Sequence, residues 1–439
     1  KSVGFSAIES LAGGSGNDVF TVNASSPLAM AGNGGNDTFD IGNGLAASGQ
    51  LDGGAGSDTL TLARVTTARN VSLTGVGATD GFNGTETSVT AGFRNVDVIT
   101  GGQAADTLTG LNAAAKWALG GTNQYTSGGK TLTFSSFSTL NGGSANDDFA
   151  LSTGTTTGNL ELVGGGGANT ADVLGSFAVT GDLTLRDIQT ITDHSGGTTL
   201  SAVTLRIVGA ATVGKSGEPL WTNVDSADIQ STGPVFLTEK NGLAILHLGA
   251  SSYLVTVLDK DLRLGDAKAT GEGEFDVQNG NVIDANGDTT NIVASHALLN
   301  TPKGVVGARD DKVEIEVPQG SFIDVNTVQG QGGAYVVAST GARLRVGGNE
   351  FLIGPAGVTT PASLATNNTL LVDISGVDWA SLDPTVTLLD CLEPCVRLPA
   401  DQAEGEGLAR QAEPTKLLLI RTAEGWTMIP VVAMDETAA

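Results

Sequence analysis

Apolar and polar side chains alternate along most of this chain, in short runs that never settle into a helical period. The runs are cleanest between 175 and 360. Leu183 and Leu185, then Val203, Leu205 and Ile207, then Val235 and Leu237, Leu243 and Ile245, and Val313, Ile315 and Val317 recur at alternate positions. Side chains two apart share one face of a strand, so these runs predict half-buried strands separated by Gly, Asn and Asp turns. No long amphipathic helix is predicted. Residues 1–174 add a second feature: a glycine-rich turn, an Asn/Asp corner, then a short alternating strand. Phe20, Phe39, Leu60, Leu108 and Phe149 each stand two residues after a corner Asp. Stacked coils would place these side chains in a single inward ladder.

The corners repeat. Residues 5–20 read FSAIESLAGGSGNDVF and residues 134–149 read FSSFSTLNGGSANDDF, identical at nine of sixteen positions with an offset of 129. A third copy at 93–108, FRNVDVITGGQAADTL, keeps Phe93, Gly101, Gly102 and Asp106 in frame. A fixed internal period is the mark of a repeat architecture. Asp18 to Asp37 is 19 residues and Asp37 to Asp58 is 21. A parallel β-helix closes one coil in about 20 residues, with coils about 4.8 Å apart. The gaps Asp58 to Asp106 (48) and Asp106 to Asp147 (41) predict two coils each. The expected fold is therefore all-β, a right-handed parallel β-helix with a C-terminal cap. Its divisions are 1–174 with glycine corners, 175–360 without them, and 361–439 as cap and tail. Within that tail, 399–414 reads as a polar, Glu-rich linker. TKLLLIRTAEGWTMIPVV then reads as a hairpin around Glu424 and Gly425, suited to cover an open solenoid end.

Composition narrows the class. Gly 63 against Pro 12 excludes collagen and Pro-rich linkers, and aromatics at 5% leave the core to Val, Leu, Ile and Ala. A formal charge of −25 disfavours nucleic acid and anionic membranes as partners, because both need basic patches. No apolar run here is long enough to span a bilayer, and these residues do not read as a signal peptide. The chain opens at Lys1-Ser2-Val3-Gly4, already repeat-like, and is expected to be a piece of something longer.

Three features bear on chemistry. The turns GGSGNDVF, GNGGNDTF and GGAGSDTL resemble the RTX nonapeptide GGxGxDxUx, which holds Ca²⁺ with converging carbonyls and a hard carboxylate. The expected reading is a corner whose Asn/Asp side chain bonds backbone; the alternative is Ca²⁺ at Asp18, Asp37 and Asp58. The repeats are near 20 residues rather than nine, and later copies carry Ala104 and Ala145 where the third glycine stood. DANGD at 284–288 lacks the closing Glu of an EF-hand loop and reads as a turn. Cys391 and Cys395, spaced C-x3-C with no second pair, do not fit a zinc site; in an exported protein they most simply close a small disulfide loop. For catalysis there is no GxSxG, HExxH or P-loop. His194, His247 and His296 are scattered, as are Tyr125, Tyr253 and Tyr335. Trp117, Trp221, Trp379 and Trp426 read as core or cap residues. The chain is expected not to be an enzyme; the rival is a β-helix polysaccharide lyase or epimerase.

Residues 117–149 (WALGGTNQYTSGGKTLTFSSFSTLNGGSANDDF), 280–317 (GNVIDANGDTTNIVASHALLNTPKGVVGARDDKVEIEV) and 378–395 (DWASLDPTVTLLDCLEPC) resemble the two-partner-secretion (type Vb) exoproteins of the filamentous-haemagglutinin type. That resemblance implies a right-handed β-helix rod, exported through an outer-membrane β-barrel partner and acting at the cell surface or in a biofilm matrix. Its ligand would be exopolysaccharide or a neighbouring cell. It also implies two features of the tail: a C-terminal disulfide hook at Cys391 and Cys395, and a Thr-Ala-Ala-Gly processing site whose first three positions match Thr437, Ala438 and Ala439. Cleavage there would not free the chain from that hook, so only one of the two holds in its simple form. The functional expectation is a secreted adhesin segment, with a calcium-binding RTX-like scaffold as the alternative.

Overall fold

The computed structural model describes residues 8–308, 311–327 and 334–346, and farther on the strands at 349–354, 357–361, 370–373, 416–422 and 425–431. Among these residues every helix or strand is a strand, and no helix is long and apolar enough to cross a membrane. The chain is a β-solenoid of parallel stacked coils, about 15 turns of roughly 22 residues. It divides into two compact units, 1–224 with 229–233, and 225–228 with 234–439.

The first unit begins with coils that each carry a corner Asp. Strands β1 (Ser10–Ala12), β3 (Ala29–Gly34) and β5 (Leu51–Ala55) stack in parallel as one face. Strands β2 (Val19–Val22), β4 (Thr38–Ile41) and β6 (Thr59–Thr61) stack as the next. Phe20 lies opposite Phe39 and Phe39 opposite Leu60, so the apolar residue two after each Asp faces inward. Phe20 and Phe39 stack with ring centroids 5.1 Å apart and planes 9° from parallel. Phe39 and Leu60 are fully buried. Like residues repeating on the inward side at the interstrand spacing give each coil its partner above and below.

After β6 the coils lengthen by antiparallel excursions. Strands β7 (Asn70–Val76), β8 (Phe82–Glu86) and β9 (Val89–Val96) form an antiparallel meander, with β9 rejoining β5 in parallel. β10 (Val98–Thr100) then stacks directly on β6. After β11 (Thr107–Thr109), β12 (Ala115–Leu119), β13 (Gln124–Ser127) and β14 (Lys130–Ser135) repeat the device, and β14 stacks on β10. The gaps expected to hold two coils each thus hold single coils with an inserted meander. The single inward ladder is corrected too. Phe20, Phe39 and Leu60 continue into Ile99 and Phe134. Leu108 pairs instead with Val71 and Leu140, and Phe149 with Trp117 and Ala171. Trp117 is buried between its neighbours: Tyr125 at 4.6 Å, Phe134 at 5.6 Å and Phe149 at 5.8 Å, by centroid. The Tyr125 hydroxyl accepts the Leu111 N–H at 2.8 Å, which satisfies the one polar atom of that ring.

Beyond 150 the coils are regular. Leu140, Leu162, Leu185 and Ile207 follow one another at the same place in successive coils. Val203, expected inward, is 45% exposed; the buried pair of that run is Leu205 and Ile207. In the second unit, Tyr253–Val257, Glu272–Val277, His296–Thr301, Phe322–Thr327 and Arg343–Val346 stack in parallel. Leu370–Asp373 joins Ala334–Ala338 in parallel, then pairs antiparallel with Lys416–Thr422, which forms the expected hairpin with Gly425–Val431.

Candidate metal centre

Each corner is held by its Asn-Asp pair. As the chain leaves the sheet its amides lose strand partners and need acceptors. The Asp side chain supplies one to the coil before it: the Asp18 N–H donates to Asp37 Oδ1, and the Asp37 N–H to Asp58 Oδ1, both at 2.7 Å. The preceding Asn works in the other direction, with Asn36 N–H donating to Asn17 Oδ1 at 2.8 Å and Ser57 N–H to Asn36 Oδ1 at 2.9 Å. Asp18 also accepts the Gly14 N–H of its own turn at 2.7 Å. The carboxylate folds back over the first glycine of its repeat. A Cβ on Gly13, Gly32, Gly53 or Gly142 would collide with the carboxylate of Asp18, Asp37, Asp58 or Asp147 respectively. Glycine is required there by close approach, five residues before the Asp it accommodates.

Asp18, Asp37 and Asp58 therefore lie on one edge at one per coil, steps of 19 and 21 residues. The next member of that stack is Asp97, 39 residues on, whose Oδ2 accepts the Asp58 N–H at 3.1 Å. Asp106 sits at a different corner, where it accepts the Arg69 N–H at 2.7 Å and the Gly102 N–H. Asp97 was legible: it stands two before Ile99, as Asp58 stands two before Leu60.

Where the first excursion begins, the stack gains a third carboxylate. Asp80, in the turn between β7 and β8, accepts the Gly56 N–H with Oδ2 at 3.0 Å. One carboxylate oxygen from each of Asp58, Asp80 and Asp97 lies within 4.8 Å of the others. Among the described residues no other group of three metal-capable side chains comes so close. Asp58 is fully buried; its Oδ2 and the Asp80 Oδ1 are both buried without a hydrogen-bond partner. Burial pushes the Asp58 carboxyl up to about 6; the Asp37 amide offsets part of this, and the carboxylates of Asp37, Asp97 and Asp80 add to it. Burial also raises Asp97, with the Asp80 charge adding to the effect. The cation bearing on the group is Lys130, whose ammonium donates to the Thr79 carbonyl at 3.1 Å.

Other residues of interest lie apart. His194 Nδ1 is 2.7 Å from Asp172, and His247 Nδ1 is 3.8 Å from Asp228. His296 lies between Glu272 at 3.2 Å and Asp324 at 2.6 Å. Asp284 Oδ1 accepts the Asn286 N–H at 2.9 Å and an Asn291 amide proton at 2.7 Å, the expected turn. An open groove of about 250 Å³ in the second unit is lined by Asp225, Asp261, Lys260 and Arg263. Cys391, Cys395, Trp379, Thr437, Ala438 and Ala439 lie outside the described residues. Comparison with protein-family models, curated proteins and solved structures finds no match.

Proposed function

We propose that this chain is a non-catalytic binding scaffold, a β-solenoid segment of a secreted or surface-held adhesin that engages polysaccharide or a neighbouring cell. One observation carries the reading. Thr21, Asp40, Thr61, Thr100 and Ser135 follow one another across five adjacent strands, each on the outward side. Such a row places a hydroxyl or carboxylate at every interstrand step of about 4.8 Å, with the Asp40 carboxylate paired to Arg64 at 2.9 Å. A repeating row matches a ligand that itself repeats, as a polysaccharide does. Catalysis asks for the opposite, different groups converging on one reacting atom. The resemblance of 117–149, 280–317 and 378–395 to filamentous-haemagglutinin-type exoproteins supports the same reading and, with it, export through an outer-membrane β-barrel partner. The formal charge of −25 favours neutral glycans over uronate-rich ones.

Co-sedimentation with a panel of neutral and acidic polysaccharides tests it. The expected result is retention without turnover, reduced at least ~10-fold by the triple substitution Asp40→Ala, Thr61→Ala and Thr100→Ala, since each lost hydrogen bond removes about 1 kcal/mol. New reducing ends or unsaturated uronates would instead establish a lyase or epimerase.

A further inference from the structure

We propose that Asp58, Asp80 and Asp97 bind one calcium ion, which ties the tip of the β7–β8 hairpin to the solenoid edge. The donor set is all carboxylate oxygen, which suits a hard divalent cation and not a thiolate- or imidazole-seeking metal. Calcium takes its oxygens at about 2.4 Å, so ligands on opposite sides of the ion lie up to about 4.8 Å apart. The three oxygens fall within that span. Magnesium demands a near-ideal octahedron at about 2.1 Å and gives up its waters reluctantly, so three carboxylates from separate turns suit it less.

Hydrogen bonding leaves acceptor capacity at this group: an unpartnered Oδ2 recurs at the Asp37 corner, and here Asp80 Oδ1 adds a second unpartnered oxygen. Three amides are satisfied by this group: Asp37 N–H on Asp58 Oδ1, Gly56 N–H on Asp80 Oδ2 and Asp58 N–H on Asp97 Oδ2. After those bonds are made, Asp58 Oδ2 and Asp80 Oδ1 remain buried with nothing to accept from, on a side chain that is fully buried in the case of Asp58. An unpartnered buried carboxylate oxygen costs stability, and two beside a third carboxylate cost more. One cation removes both costs.

The placement gives the ion a structural task. Asp58 precedes β6 and Asp97 precedes β10, the strands stacked across the first excursion, while Asp80 belongs to the excursion itself. Binding would fix the 77–81 turn against the coils. Asp18 and Asp37 contribute to the same edge but have no excursion beside them.

The test uses the full chain after chelation. Calorimetric titration with CaCl₂ is expected to give one site per chain with a dissociation constant of roughly 0.1–1 mM, the range of extracellular calcium modules, and a calcium-dependent rise in Tm. Asp80→Asn and Asp97→Asn should each weaken binding at least ~10-fold while circular dichroism stays that of the parent. Asp18→Asn should leave binding unchanged. Calcium should also slow proteolysis within 77–81. Absence of heat and of any Tm shift in about 10 mM Ca²⁺ would overturn the proposal. So would binding that survives both Asp80→Asn and Asp97→Asn, or that Asp18→Asn abolishes. A rise in Tm from Asp80→Asn in a parent that ignores calcium would show that the cluster shares a proton instead.

Discussion

Asp147 and Asn169 occupy equivalent corners in adjacent coils and differ by one charge. Asn169 has full use of its amide: Oδ1 accepts the Asp147 N–H at 2.9 Å, and Nδ2 donates to the Gly166 and Asp187 carbonyls at 3.0 and 3.1 Å. Asp147 is 2% exposed, and its oxygens make no well-formed hydrogen bond; the neighbouring Ala115 amide points instead to the Asn146 carbonyl, at 3.4 Å. Burial pushes its carboxyl up from 3.8 to about 7, with the Ala115 amide offsetting part of the effect. A raised carboxyl makes the folded state hold a proton that the unfolded state has released. Its stabilising contribution is complete below 3.8 and is lost as pH rises through about 7. Asp147→Asn removes that dependence and reproduces the neighbouring corner. The variant should melt above the parent at pH 8 and level with it near pH 4; equal melting at both would refute the assignment. At this scale the repeat could be read in the sequence, but its reason could not. That Gly32 exists to make room for Asp37, five residues on, follows only once the side chain is seen folded over it.

The excursions are the elements that corner spacing cannot reveal. Spacing counts residues, and a coil lengthened by a meander has the same count as two plain coils. Asp58 to Asp97 is one coil of 39 residues, and Thr100 to Ser135 one of 35. A local signal was present at the second excursion. Ser127 and Lys130 face each other across Gly128 and Gly129, whose φ values of 56° and 75° are those of a two-residue hairpin turn. A Gly-Gly pair flanked by QYTS and KTLTF is that signal. Replacing both glycines with alanine forces two L-residues into left-handed backbone, at about 1–2 kcal/mol each. Urea unfolding should show a loss of about 2–4 kcal/mol, and a smaller one for Asn-Gly at the same positions. A loss below about 0.5 kcal/mol would argue against this turn. The pairing of Lys416–Thr422 with Gly425–Val431 was legible, because its two alternating runs are close in sequence and need no distant partner; Gly425, expected in the turn, stands in the strand opposite Thr422.

For the molecule as a whole, charge is the term read most directly. With 47 acidic against 22 basic side chains, self-repulsion opposes the folded state. Raising NaCl from about 10 to about 300 mM shortens the screening length from about 30 Å to under 10 Å and should raise Tm. An unchanged or lower Tm would place the excess acid where screening is already complete. The sequence by itself determined the class of fold, the coil length near the first corners and the inward stacking of Phe20, Phe39 and Leu60, because all three are periodic and a period survives without coordinates. The tertiary structure alone decided which corners share an edge, since that depends on how much chain each coil spends on excursions. It also decided that Asp58 meets Asp80 and Asp97, residues 22 and 39 positions away, rather than closing a site with Asp18 and Asp37. Asp58 and Asp97 stand one coil apart on the same edge, and the β7–β8 hairpin brings Asp80 in from the side.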